Sequence, residues 1–124
     1  MNLSTSINSF LSTQVQFKIL HWQTKGYARH IAFGDISDSL DELVDEYVEV
    51  ALGNWGRFNV DNKTNTIVYK NLSEVNMVEF LQDFKGKLYL ITTELDQEKD
   101  TDLLNLKDEI LAKINKLAYL LTLE

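Results

Sequence analysis

Apolar residues recur at helical spacing in four stretches of the chain. In the first, about residues 3–25, Leu3, Ile7, Phe10, Phe17 and His21 follow one another at steps near three and a half residues, and Gln14 fills the one missing place. Leu11, Val15, Ile19 and Trp22 form an adjacent row, so the pattern predicts one wide apolar helix face. Ser4 or Ser6 is placed to cap this helix, and Gly26 predicts a tight turn or kink after it. The second stretch, about 28–52, sets Phe33, Ile36, Leu40, Leu43, Val44, Tyr47 and Val48 on one side. Acids crowd the rest of its surface (Asp38, Asp41, Glu42, Asp45, Glu46 and Glu49), and Gly53 is a natural stop.

Residues 53–71 break the period. Gly, Asn, Asp and Thr dominate there, and Thr66, Ile67, Val68 and Tyr69 have strand-like character. A connection this long is unusual in an up-down bundle and suits a chain that crosses from one end of a bundle to the other. Beyond it Ser73 and Glu74 open a third periodic stretch, about 74–95, with Val75, Val78, Leu81, Phe84, Leu88 and Ile91 on the buried face. Residues 96–100 form a charged turn. Thr101 is placed to cap a fourth helix, about 101–123, with Leu103, Leu104, Leu106, Ile110, Leu111, Ile114, Leu117, Leu120 and Leu121 inside. The predicted fold is all-α: a four-helix bundle with a long crossover between helices 2 and 3, one domain over residues 1–124.

Composition narrows the chemistry. The 124 residues include no cysteine, which excludes disulfides, thiolate metal sites and cysteine nucleophiles, and no proline, which leaves long helices uninterrupted. The net charge of −7 repels a phosphate backbone, so DNA binding is not expected. The apolar runs are far too short for a membrane span, and residues 1–10 lack the pattern of a secretory leader, so the expected location is the cytoplasm. Lysine outnumbers arginine 10 to 2, a bias compatible with an AT-rich and possibly viral genome; for a viral protein the expected location is the host cytoplasm.

The chain has only two histidines, His21 and His30, on either side of the turn between helices 1 and 2. A histidine on a mostly apolar face is more often a hydrogen-bonded core residue than a ligand. Asp45 and Glu49 are one helical turn apart, so their carboxylates can converge on one point, although an acidic run is more often a solvated face. Imidazole nitrogens with carboxylate oxygens suit iron, manganese or zinc. On a helical wheel His30, Asp38, Asp45 and Glu49 share one broad side, but Asp45 lies about 22 Å along the axis from His30. One chain cannot bring both to a single metal. Two copies of helix 2 packed antiparallel about a two-fold axis can, so a metal site here requires a dimer. Other chemistries find no support: no Glu stands three residues before either histidine, as di-iron bundles require, and no nucleophile elbow or Gly-rich phosphate loop occurs. Trp55, Phe58 and Tyr69 are read as covering one end of the core rather than forming a binding patch.

The run His21-Trp22-Gln23-Thr24-Lys25-Gly26 resembles the motif that closes the first helix of the Dps (DNA protection in starvation) proteins, a branch of the ferritin-like superfamily. His30 resembles the histidine that opens that family's second helix, after a shorter turn. The run from Val44 to Glu49 resembles its carboxylate motif, and Asp100 to Leu104 with Lys116 and Tyr119 to Leu121 is similar to its last helix. The likeness extends to short Dps-like proteins of phages and other viruses. It implies a ferritin-like fold and a homo-oligomer, a dimer through helix 2 and in the family a shell of twelve. It also implies ferrous iron oxidised by peroxide at inter-subunit sites and stored inside. The implied ligands are His21 and His30 from one subunit with Asp45 and Glu49 from its neighbour, supported by Trp22, with no catalytic group beyond them. Iron is the implied metal, zinc or manganese the alternatives. The carboxylate usual four residues after the second histidine is replaced by Gly34, with Asp35 and Asp38 nearby as substitutes. Gly34 favours a second expectation, a bundle of the same shape used as a scaffold or interaction module without efficient iron oxidation.

Overall fold

The computed structural model describes residues 3–60, 63 and 65–123; the two chain ends and residues 61, 62 and 64 of the long connection lie outside the described residues. It contains α1 (Leu3–Gln23), α2 (Tyr27–Trp55), a 3-10 turn (Leu72–Glu74), α3 (Met77–Glu94) and α4 (Thr101–Leu120), with no strand among the described residues. The four helices form a bundle. α1 packs on α2 and α3, and α4 packs on the same two from the opposite corner. Residues 66–69, strand-like in sequence, form no strand, and no strand is present among the described residues for them to pair with.

The helix ends differ from the sequence reading in instructive ways. Ser4 and Ser6 lie inside α1, which is already helical at Leu3, and Ser6 is buried. Gly53 does not stop α2. The helix runs one turn further to Gly56, whose φ of 80° suits glycine and whose N–H closes on the Leu52 carbonyl at 2.8 Å. Ser73 falls in the 3-10 turn instead, and α3 is capped by Asn76, whose side chain accepts from the Glu79 N–H at 3.1 Å. Thr101 is the first residue of α4, and Asp100 takes the cap position. In the turn before it, the Asp96 carboxylate accepts from the Glu98 and Lys99 amides at 2.8 and 2.9 Å, which holds its pKa below the ordinary value.

The core follows the apolar period. Phe10 meets Tyr47 and Phe84 edge-on near one end, and Phe17 meets Phe33 and Phe80 one layer nearer the α1–α2 turn. Each such buried ring removes enough surface to contribute about 1.5–3 kcal/mol. Leu81, Phe84, Leu88 and Ile91 of α3 are buried as expected; Val78 is 71% exposed and Val75 precedes the helix. Of the three aromatics read as covering a core end, only Phe58 packs on the core, while Trp55 and Tyr69 are exposed. Thr13, Gln16, Ser37 and Lys107 are buried against the polarity rule. Lys107 lays its stem on the core and pairs with Asp108 at 2.6 Å.

The connection after α2 runs the length of the bundle along α1. Gln16 of α1 meets the backbone of Lys70 twice, donating to its carbonyl at 2.9 Å and accepting from its N–H at 2.8 Å. Gln23, two turns on, accepts from the Leu72 N–H at 2.6 Å and donates to Asn71 at 2.9 Å. A primary amide offers the same donor and acceptor as a peptide group, so the two glutamines substitute for the neighbouring strand that this segment lacks. The crossover delivers the chain to α3 at the end of the bundle where α1 turns into α2.

Candidate metal-binding histidine pair

At that end α1 and α2 lie antiparallel, and their outer seam collects most of the residues singled out by sequence. Gln14 donates to Asp41 across it at 2.8 Å. Further along, His21 and His30 stack face to face, with ring centroids 4.0 Å apart and 16° between planes. Their contact is reciprocal. His21 Nδ1 lies 2.8 Å from the His30 carbonyl oxygen, and His30 Nδ1 lies 2.9 Å from that of His21. A carbonyl oxygen can only accept, so each Nδ1 carries a proton, and in the neutral ring each Nε2 then presents its lone pair. The pair also has a mechanical role. The His21 carbonyl belongs to the last turn of α1, where intrahelical partners run out, and the His30 ring supplies the missing donor.

A ring whose Nδ1–H is fixed by a backbone carbonyl and whose Nε2 is free has the arrangement typical of metal-ligating histidine. The stacking sets a limit on its use. A bound metal lies near the plane of its imidazole, about 2.0–2.1 Å from the nitrogen. Planes 16° apart on rings 4.0 Å apart do not converge within that range. As the rings stand, one ion is held by one ring; the second ring serves an ion of its own, or turns.

The carboxylates do not join the histidines within one chain. Asp45 and Glu49 are exposed on α2, Asp45 about 22 Å along the helix from His30. Among the described residues no group of three or more His, Asp or Glu side chains converges on a point. Asp38 is exposed two turns beyond His30, and Asp35 turns toward the shallow groove between α2 and α4 that Lys113 and Lys116 also line. Asp38, Asp41, Glu42, Asp45, Glu46 and Glu49 are all exposed, and none has an ion-pair partner among the described residues. Trp22, next to His21, is 68% exposed. The second apolar row of α1 stays incompletely covered: Leu11 is exposed, Val15 and Ile19 are half-buried, and none of them packs on the core.

Two partners of the pair were not legible from sequence. One is the reciprocal bonding itself, which depends on the short turn between residues 23 and 27. The other is Gly34, a mid-helix glycine, against which the His21 ring packs: a Cβ built at position 34 would stand 3.0 Å from His21 Cε1 and 3.2 Å from its Nδ1. A glycine inside an otherwise strong helix was the available signal.

The class defined so far is a four-helix bundle with a stacked histidine pair beside an acidic helix face. The chain belongs to the family of unknown function DUF5856, whose sequence profile matches residues 21–121, from the first histidine of the pair to the end of α4. It is also similar to an uncharacterized 14.6 kDa protein from the mobD-ri intergenic region of Enterobacteria phage T4, at 40% identity over 47 residues. That match covers 38% of this chain and 37% of the phage protein. No solved structure matches the chain. No helix among the described residues is long and apolar enough to cross a membrane.

Proposed function

We propose that the chain is a ferritin-like, Dps-like bundle that binds ferrous iron at sites shared between two-fold-related copies and oxidises it there. The observation that carries this reading is the histidine pair, with both Nδ1 atoms committed to carbonyls and both Nε2 atoms free. The spacing on α2 then requires a neighbour. With two α2 helices antiparallel, His21 and His30 of one copy face Asp45 and Glu49 of the other, twice per dimer. The uncovered row Leu11, Val15, Ile19 and Trp22 on the adjacent face of α1 supports burial against a second copy. Iron is the substrate, with zinc or manganese as competing occupants of the same nitrogen and oxygen donors. Each ferrous ion gives up one electron, and hydrogen peroxide takes two electrons and two protons to become two waters. The protein's part is to hold the ions in an oxygen-rich site while the oxidant arrives. The phage relative supports a place in the host cytoplasm.

The test is ferrous oxidation by peroxide on metal-free protein, followed by ferric absorbance beside the mass in solution. Fast oxidation by a dimer or larger assembly, abolished in His30→Ala and in Asp45→Asn, is the expected result. A strictly monomeric protein, or oxidation no faster than buffer, overturns it. A second reading is favoured by Gly34, which leaves the turn after His30 without a carboxylate: a bundle of the same shape that serves as a scaffold or interaction module. Dimerisation through α2 without iron oxidation is its signature.

A further inference from the structure

We propose that Gly34 is a positioning residue: its missing side chain is the space in which the His21 imidazole sits, so a side chain at position 34, a carboxylate included, pushes the ring out of its place in the histidine pair. The consequence for metal binding rests on the proposed function above; the positioning role does not.

Gly34 lies four residues after His30 on α2, within the helix, where glycine is a poor helix former and nothing in the backbone calls for it. The Cβ position of residue 34 is 3.0 Å from His21 Cε1, 3.2 Å from Nδ1 and 3.8 Å from Nε2. These atoms belong to a flat ring held on two sides. Its Nδ1 is bonded to the His30 carbonyl, and its face is stacked on the His30 ring. To make room for a Cβ the ring has to give by a few tenths of an ångström against both of these contacts. By contrast, a Cβ at Gly26, Gly53 or Gly86 would meet nothing within 4 Å. Gly34 is therefore set apart from these glycines by what packs on it. A longer acidic side chain at 34 would bring the same Cβ and meet the same ring. The absence of a carboxylate one turn after His30 and the reciprocal histidine pair are thus two aspects of one arrangement. Any acidic ligand beside the pair has to come from elsewhere, which is the role the shared site gives to Asp45 and Glu49 of the facing copy.

The experiment is a double-mutant cycle read by stability and by the histidine rings. Gly34→Ala in the wild-type background is expected to lower the melting temperature, although alanine is the better helix former. In a His21→Ala background, where the ring is gone, the same change is expected to raise it. This reversal of sign survives even if Gly34→Ala alone fails to fold, because the double variant then folds where the single one does not. Nitrogen-15 spectra of the imidazoles give a readout that a merely helical effect would not move: the His21 Nδ1–H signature is expected to be lost in Gly34→Ala while Gly53→Ala leaves it intact. An unchanged His21 signature in a folded Gly34→Ala, or a Gly34→Ala effect of the same sign in both backgrounds, overturns the proposal. Cobalt(II) added to wild type and Gly34→Ala separates the two claims. At least tenfold weaker binding by the variant is expected. Equal binding by both overturns the coupling of Gly34 to metal, and no binding by wild type counts against the metal site while the ring spectra still decide the role of Gly34.

Discussion

A buried hydroxyl and a half-buried imidazole pair show how differently single residues of this chain relate to their surroundings. Tyr47 is fully buried, and its hydroxyl has no hydrogen-bond partner among the described residues. Burial, helped by the carboxylates of Asp100 and Glu94, pushes its pKa well above the ordinary tyrosine value. The folded state therefore keeps this proton where the unfolded chain gives it up. What Tyr47 contributes is fully present below about pH 10 and is lost as the pH climbs beyond it. The denaturation midpoint of the wild type is expected to fall above that pH, and Tyr47→Phe to fall less. At neutral pH the substitution removes no bond, so its cost should stay below about 1 kcal/mol or its sign be favourable. A Tyr47→Phe loss of several kcal/mol in urea titrations would show that the hydroxyl is bonded after all. Residues of this kind were only half legible in the sequence. The period placed Tyr47 in the core, and type and spacing picked out His21, His30, Asp45 and Glu49. Nothing in a one-dimensional pattern shows that Gly34 is a receptacle for a ring, or that Gln16 and Lys107 are buried, because those facts depend on which neighbour crosses at that height.

At the scale of elements, the period located four helices to within a few residues, and the length of the gap after α2 announced a crossover. Its route was not legible. It is set by Gln16 and Gln23, two polar residues on α1 that the apolar pattern passes over, and by their four contacts with the backbone and side chain of residues 70–72. The misplaced ends share a cause. Gly53 and Gly56, or Ser73 and Asn76, are equally good punctuation in sequence, and packing of the last turn decides between them. Gln16→Ala should uncouple the crossover from α1. Two part-buried hydrogen bonds to the Lys70 backbone are lost together, so the expected destabilisation is about 1–3 kcal/mol. The sharper observable is local: amide exchange at Lys70 is expected to accelerate far more than at Leu40 or Leu88 in the cores of α2 and α3. Uniform acceleration would mean that the segment opens only with the whole bundle. Because the crossover braces the half of α1 that carries His21, Gln16→Ala also asks whether the histidine pair depends on this brace or only on the α1–α2 turn.

For the whole molecule, the decisive feature is a separation. The nitrogen donors sit at one end of α2 and the paired carboxylates about 22 Å away, so the proposed site can be completed only between copies. This makes the shared-site proposal testable by complementation. A dimer of His30→Ala chains has its carboxylates but a damaged nitrogen side in both sites, and a dimer of Asp45→Asn chains has the reverse. Each variant alone is expected to be inactive. In a mixed dimer, one site draws its histidines from the Asp45→Asn chain and its carboxylates from the His30→Ala chain, and is intact; the other site collects both defects. Random exchange puts about half of the chains in mixed dimers with one good site of two, so equal mixing of the inactive proteins should restore about a quarter of wild-type oxidation. Sites contained within one chain could never recover on mixing, whatever the exchange. Restoration near a quarter after a brief passage through mild denaturant, and none without subunit exchange, would place the two halves of the site on different copies. A mixture that stays inactive, while the mass distribution of labelled chains proves that exchange took place, would remove the shared site and leave the histidine pair as the clasp that joins α1 to α2.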